Sequence, residues 1–456
     1  MSKFALLFIT VYLGGIAATF FLSSAASFFL YQIVYFLNPD NRWWSSGIPG
    51  ISYSFFAALL MLLSLAIGYR KCTDQAPWKQ QPTFKWLFAL LAVYYMVGFW
   101  AISPAVHDRF VFDLTKLVVI ILVAYKLVHT PRRLDGALWS YLIGATYIGY
   151  LATITGRNSG DRVEGIGLID SPDANGVAAA LVPSAVLLMY YAWMGNYKVK
   201  MLCVFCGALI ANGLVLINSR GAFVGVVASG GLYLMYMMFS RYRKQGQRAM
   251  AVLIIICGIS GGLYVADDSF WDRMGTLQNT EDEGASGSRR INYWMASIEV
   301  ARDYPAGLGV QGFNAVSSIY LAPEHRGDSN SKSVHSIWFQ GLTEVGWLGL
   351  GLFLMALLSL YRMSRKAKLW LLSIDENTPY FKMLALEGAL LGYLVAASFI
   401  NQFRAEILYW MIALLAVGIN VYYLQQINVR EKDKNVVLKQ PDSTKSSAYA
   451  REKSAL

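Results

Sequence analysis

Four side chains carry the strongest hint of chemistry in this sequence: Arg220, Arg289, Arg290 and His335. Arg220 stands between two apolar runs, in Ile217-Asn218-Ser219-Arg220-Gly221-Ala222-Phe223. At a helix break beside a glycine, a guanidinium can turn toward an anion, and its planar fork matches a phosphate bidentately. Such an arginine can equally snorkel to lipid headgroups. Arg289 and Arg290 lie in segment 267–335, which holds ten acidic residues against six Lys and Arg, so a general basic bias does not account for the pair. Trp294 follows Arg290 by one turn on the same helix face. An arginine beside an aromatic plane suits a phosphate and a sugar together, while pairing with Glu281, Asp282 or Glu283 is the competing reading. His335 opens an apolar run in Ser333-Val334-His335-Ser336-Ile337-Trp338-Phe339. It is either a general base that titrates near neutrality or an interfacial histidine in an aromatic belt.

Other residues give weaker signals. Arg157 and Arg162 flank Asp161 in one loop and could be solvated or substrate-binding. Asp170, Asp173 and Asn175 precede an apolar run and could cap it. Asp113 and Lys116, one turn apart, are expected to pair, because charges inside a membrane need partners. Glu344 and Arg404 could line one cavity. Cys203 and Cys206 form a C-x-x-C inside an apolar run and read as small core residues. No second ligand stands at metal spacing from His335; His325, His107 and His129 fall in other loops, so no metal is expected. Neither a P-loop nor a dinucleotide fingerprint nor a G-x-S-x-G occurs.

The elements that must position these residues are membrane helices. The chain has 456 residues, 56% hydrophobic and 15% charged, whereas soluble domains carry about 25% charge. Apolar runs near 4–37, 51–69, 84–101, 110–128, 136–154, 175–194, 200–218, 221–239, 249–266, 336–360, 382–400 and 406–425 predict an all-α polytopic bundle of about 12 spans. Run 4–37 is long for one helix and short for two. Gly14-Gly15 or Ser23-Ser24 could break it, and the charge of Lys3 favours a single retained span with a cytoplasmic N-terminus. The net charge of +11 sits in short alternate loops, as membrane topology requires, and this argues against nucleic acid as a partner. Those loops are expected to be cytoplasmic. The other set then faces outward: 38–50, 102–109, 155–174, Asn218–Arg220, 267–335 and 401–405. The transmembrane domain is read as 1–426, followed by a disordered cytoplasmic tail over 427–456. Within 267–335, Ser288–Ile298 predicts a short amphipathic helix. Pro305, Gly307, Gly309 and Gly312 predict a tight turn, and Glu324–Lys332 a mobile tip.

Three arginines and a histidine on the outer face constrain the chemistry. Outside the inner membrane there is no ATP, so a reaction needs a pre-activated donor. A sugar on a polyprenyl diphosphate is one. Arginines would hold the departing diphosphate without a metal or other cofactor, the histidine would take a proton from the acceptor hydroxyl, and the spans would hold the tail among membrane lipids.

Three stretches carry a resemblance. They are Asn218-Ser219-Arg220-Gly221-Ala222; Arg290-Ile291-Asn292-Tyr293-Trp294-Met295-Ala296 followed by Tyr304–Phe313; and His335-Ser336-Ile337-Trp338-Phe339-Gln340 ending in Glu344–Leu350. In that order they resemble the O-antigen ligase and polymerase superfamily. Leu37-Asn38-Pro39, Arg42-Trp43-Trp44 and Arg273–Asn279 look most like its O-glycosylation ligase-like branch. The resemblance implies a metal-independent C-type glycosyltransferase of the bacterial inner membrane, with its active site facing the periplasm. It would move a glycan, with inversion, from undecaprenyl diphosphate to a glycan, lipid A-core or protein acceptor. By position, Arg220 and Arg290 match the family's diphosphate-binding arginines and His335 its proposed base. Arg289 is not a usual motif position; with Trp294, Arg404 and Arg157 it is expected to bind substrate. Two other readings stand beside the ligase: a polysaccharide polymerase with the same chemistry, and a lipid-linked glycan transporter, against which the missing internal repeat argues. A non-catalytic scaffold has only the long tail in its favour.

Overall fold

A computed structural model describes residues 2–240, 244–275, 286–326 and 331–430. It is all-helical, apart from one isolated bridge between Ser159 and Arg162. In chain order the helices are α1 (Lys3–Phe21), α2 (Ala26–Leu37), α3 (Tyr53–Ile67), α4 (Tyr69–Gln75), α5 (Pro82–Val97), α6 (Pro104–Leu127), α7 (Pro131–Thr155), α8 (Ala174–Met194), α9 (Tyr197–Ile217), α10 (Arg220–Phe239), α11 (Gln247–Val265), α12 (Asp268–Gly275), α13 (Ser286–Asp303), α14 (Gly312–Tyr320), α15 (Pro323–Arg326), α16 (Ile337–Ser373), α17 (Asn377–Ala397) and α18 (Glu406–Ile419).

Among the described residues, nine helices are long and apolar enough to cross a membrane, or ten if the bent pair 53–67 and 69–80 is one span. This makes the chain a multi-pass membrane protein with fewer qualifying spans than the expected 12. The shortfall lies in the bent α3, the short α5 and the charged α6, while run 4–37 still supplies one qualifying span. The run 4–37 is two helices, not the single span favoured by charge, because 34 residues of helix would be about 50 Å long in a hydrocarbon layer of about 30 Å. The break falls at Ser23-Ser24, where the Ser23 hydroxyl accepts from Ala25 N at 3.3 Å and Ser27 donates to Ser24 O at 2.7 Å. Helices α2 and α5 are short, and α6 carries Asp113, Lys116 and Lys126. Asp113 and Lys116 pair as expected, at 2.7 Å. Cys203 and Cys206 are buried. The last helix runs on to Arg430, taking in the first four residues of the expected tail; residues 431–456 lie outside the described chain.

The six loops expected to share a face do meet at one end of the bundle. Asn38 donates to Gly167 O at 3.1 Å, and Asn218 donates to Asp161 O and Ser269 O, both at 3.2 Å. Ile102 N reaches Leu308 O at 3.0 Å, and Ser171 donates to Gln402 at 3.1 Å. At this end, segment 286–334 builds a second small core from Tyr293, Ala296, Val300, Leu308, Phe313, Val316, Leu321 and Val334, separate from the core of the spans.

That small core is locked to the bundle by a break in α16. Gly346 has φ 65° and ψ −170° inside the helix, which leaves carbonyls of the preceding turn open to other donors. The glycine turn after α13 supplies them: Leu308 N donates to Thr343 O at 2.9 Å and Gly309 N to Glu344 O at 3.0 Å, while Trp347 N donates to Pro305 O at 3.1 Å. Gly307 and Gly309 sit at φ 85° and 83°, where a Cβ would strike Glu344 and Ala101 respectively. His107, which lies buried in the first turns of α6 rather than in a loop, closes the joint. Its Nδ1 accepts from Val310 N at 3.0 Å and its Nε2 donates to Tyr94 O at 2.9 Å.

Candidate active site

The sequence breaks the helix at Asn218, a left-handed residue (φ 57°) that ends α9, and Arg220 begins α10 on the far side of the turn. The N-terminus of a helix is the positive end of its dipole and favours an anion. Gly221 lets this end come close to Phe399 and Ala396 at the end of α17. Arg220, Arg273 and Arg290, from three separate helices, line one cavity of about 150 Å³ with Asn175, Ser219, Gly221, Ala396, Phe399 and Ile400. No carboxylate stands among these lining residues. Arg273 is braced by Asp161 at 2.7 Å, and Arg162 reaches Asn175 at 3.4 Å.

The electrostatics record how tightly the cations converge. Burial first, and then the guanidiniums of Arg220, Arg273 and Arg162, push the Arg290 pKa down. Like charges gathered this way oppose one another, a cost more readily explained by an anionic ligand than by stability.

His335 lies beside this cavity. Its φ of 53° is left-handed, uncommon for a residue with a side chain and typical of functional turns. Its ring centroid is 6.3 Å from that of Tyr293, which follows Arg290 on α13. Burial foremost, then Arg290 and more weakly Lys332, hold the imidazole below its usual pKa, with Asp173 acting in the opposite sense. These influences favour the neutral imidazole, the form that can accept a proton.

The remaining expected residues distribute as follows. Arg289 is exposed on α13, whereas Arg290 is half-buried, so the helix presents only one of the pair to the cavity wall. Their suggested partners Glu281, Asp282 and Glu283 lie outside the described residues, as do 276–279 of the Arg273 motif and 327–330 of the expected tip. Trp294 stands behind the wall, stacked on Phe339 (5.6 Å, 17°) and against Phe399 (6.3 Å). Arg157 is paired with Asp267 and donates to Asp161 O at 2.8 Å; it is not among the lining residues. Asp173 caps α8, accepting from Asn175 N and Gly176 N at 3.0 and 3.1 Å.

Glu344 and Arg404 do share a cavity, a second one of about 180 Å³, and form an ion pair in its wall. Tyr94 donates to the same carboxylate at 2.8 Å and Gln340 to its other oxygen at 3.0 Å. Sequence reasoning offers Arg273 and Tyr293 only as parts of motifs, and Arg162 only as a weak candidate flanking Asp161. Arg273 could have been found from its place in the net acidic segment, by the argument that raised Arg289 and Arg290.

A family model described as O-Antigen ligase matches residues 205–354. No curated protein matches the chain. The matched stretch contains Arg220, Arg273, Arg290, His335 and Glu344, and the match bears out the chain's resemblance to the O-antigen ligase and polymerase superfamily.

Proposed function

We propose that this protein transfers a glycan from undecaprenyl diphosphate to an acceptor hydroxyl at the periplasmic face of the inner membrane. One observation carries the reading. Arg220, Arg273 and Arg290, distant in sequence, converge on one cavity, and His335 lies against Tyr293 of the helix that carries Arg290. The acceptor oxygen attacks the anomeric carbon, and the bond from that carbon to the diphosphate oxygen breaks in the same displacement. His335 receives the acceptor's proton, and undecaprenyl diphosphate leaves with the electron pair. The arginines meet the charge that grows on it. A single in-line displacement inverts the anomeric centre.

Ligase and polymerase share this donor half, and either would use it. A transporter would need the diphosphate site without a base. Purified protein incubated with undecaprenyl-diphosphate-linked glycan and acceptor should release undecaprenyl diphosphate and glycosylate the acceptor, with chelator present or absent. Activity lost to chelator and restored by added metal would overturn arginine-only charge stabilisation. Binding of donor with no turnover toward any acceptor would favour the transporter.

A further inference from the structure

The second cavity differs in chemistry from the first, and nothing in the donor half of the reaction uses it. It is lined by Gln311, Asn314, Ser333, Asn401 and the Glu344–Arg404 pair, among others. The pair cancels its own charge, so the wall offers amides and a hydroxyl rather than net charge. Two buried polar atoms in the wall have no partner among the described residues: Asn401 Oδ1, an acceptor, and Arg404 Nε, a donor. Buried polar atoms are normally satisfied. A ligand that both donates and accepts hydrogen bonds satisfies both, and sugar hydroxyls do so in adjacent pairs. At about 180 Å³ the cavity also has room for a six-membered ring, since a cavity of about 150 Å³ holds benzene.

Its position ties it to the reaction. Ser333 and Val334 line it, and the next residue is His335. Phe399 and Ile400 line the arginine cavity, and the next residue, Asn401, lines this one. The segment 399–401 thus runs from the wall of one cavity to the wall of the other, and Ser333 and Val334 bring the second cavity up to the residue next to the base. An inverting displacement needs the nucleophile and the leaving group on opposite sides of the anomeric carbon.

We infer that the cavity of Gln311, Asn314, Asn401 and Arg404 is the acceptor subsite, and that it takes the neutral sugar terminus of the acceptor. This rests on the proposed glycosyl transfer.

The test uses the full-length protein in proteoliposomes with radiolabelled undecaprenyl-diphosphate-linked glycan. Two sugar acceptors are supplied separately, a lipooligosaccharide and a second lipid-linked glycan, with a serine-rich polypeptide as a third arm. The variants are Asn314→Ala with Asn401→Ala, and separately Gln311→Gly, which removes a side chain at a left-handed position (φ 58°) that glycine adopts without strain. For whichever sugar acceptor the wild type uses, acceptor KM should rise at least tenfold in the double variant and severalfold in Gln311→Gly. Donor Kd should stay within twofold. Unchanged acceptor KM in both variants, or donor Kd weakened in parallel, overturns the inference alone, as does transfer only to the polypeptide. A wild type that transfers to nothing overturns the proposed function as well.

Discussion

The two cavities at the loop end of the bundle are built on opposite electrostatic plans. In one, Arg220, Arg273 and Arg290 converge with no carboxylate among the described lining residues. In the other, Arg404 is paired with Glu344, and Tyr94 and Gln340 complete the carboxylate's hydrogen bonds. The first arrangement sets like charges against each other and is maintained by the scaffold. In the second, the ion pair is neutral, its carboxylate is fully hydrogen-bonded, and the pair is part of that scaffold. The contrast separates arginines whose loss should cost activity from an ion pair whose loss should cost the fold.

The largest expected effect tests the first plan. Arg220→Ala or Arg290→Ala should each lower transfer by about 10²–10³-fold, the usual effect of removing one group that stabilises developing charge. Thermal stability should change far less than transfer. A large drop in melting temperature with each substitution would erase the distinction between the cavities.

Glu344→Ala tests the second plan. It leaves a buried guanidinium without its counter-charge and should cost about 3–5 kcal/mol of stability, read as a fall in detergent-solubilised Tm. Removing both charges with Glu344→Gln and Arg404→Met should recover most of that loss. If the single variant is as stable as the parent, the pair is not structural. Next in size is the joint that carries Arg290 to His335. Gly346→Ala forces a Cβ onto the Pro305 carbonyl at a left-handed position and should cost about 1–3 kcal/mol, with kcat falling as α13 shifts. The smallest effect concerns pH. Burial and nearby cations hold His335 below its usual pKa, so the base stays neutral, and transfer persists, somewhat below the pH at which an ordinary histidine would protonate. Lys332→Ala removes one depressing charge and should move the acid limb of the rate profile upward; a downward move would contradict the sign.

What the sequence made legible follows the range of the signals. Composition and apolar runs gave the helical membrane class, and local spacing gave the Asp113–Lys116 pair, the helix containing 288–298 and the glycine turn. Alternate charged loops grouped the six loops that meet at one end, although which side of the membrane they face rests on the positive-inside bias alone. Other features depend on contacts between distant segments and leave no periodic trace. Arg273 joins Arg220 only because Asp161 and Asn218 bring their loops together. His107 is buried only because the turn at Val310 docks on it. The kink at Gly346 needs both sides of the joint to be seen, and a lone glycine in an apolar run announces none of them. Run 4–37 offers breaks at Gly14-Gly15 and Ser23-Ser24, and the charge of Lys3 points toward a single span, whereas helix length decides for two, parted at Ser23-Ser24.

The central claim is that His335 is the base of a reaction whose donor is held by the neighbouring arginines. Transfer by purified His335→Ala, measured alongside its donor Kd, tests it most directly. Transfer should fall by about 10²–10⁴-fold, the range for loss of a general base, while the lipid-linked donor binds as it does to the parent. Transfer at the parental rate would contradict the claim.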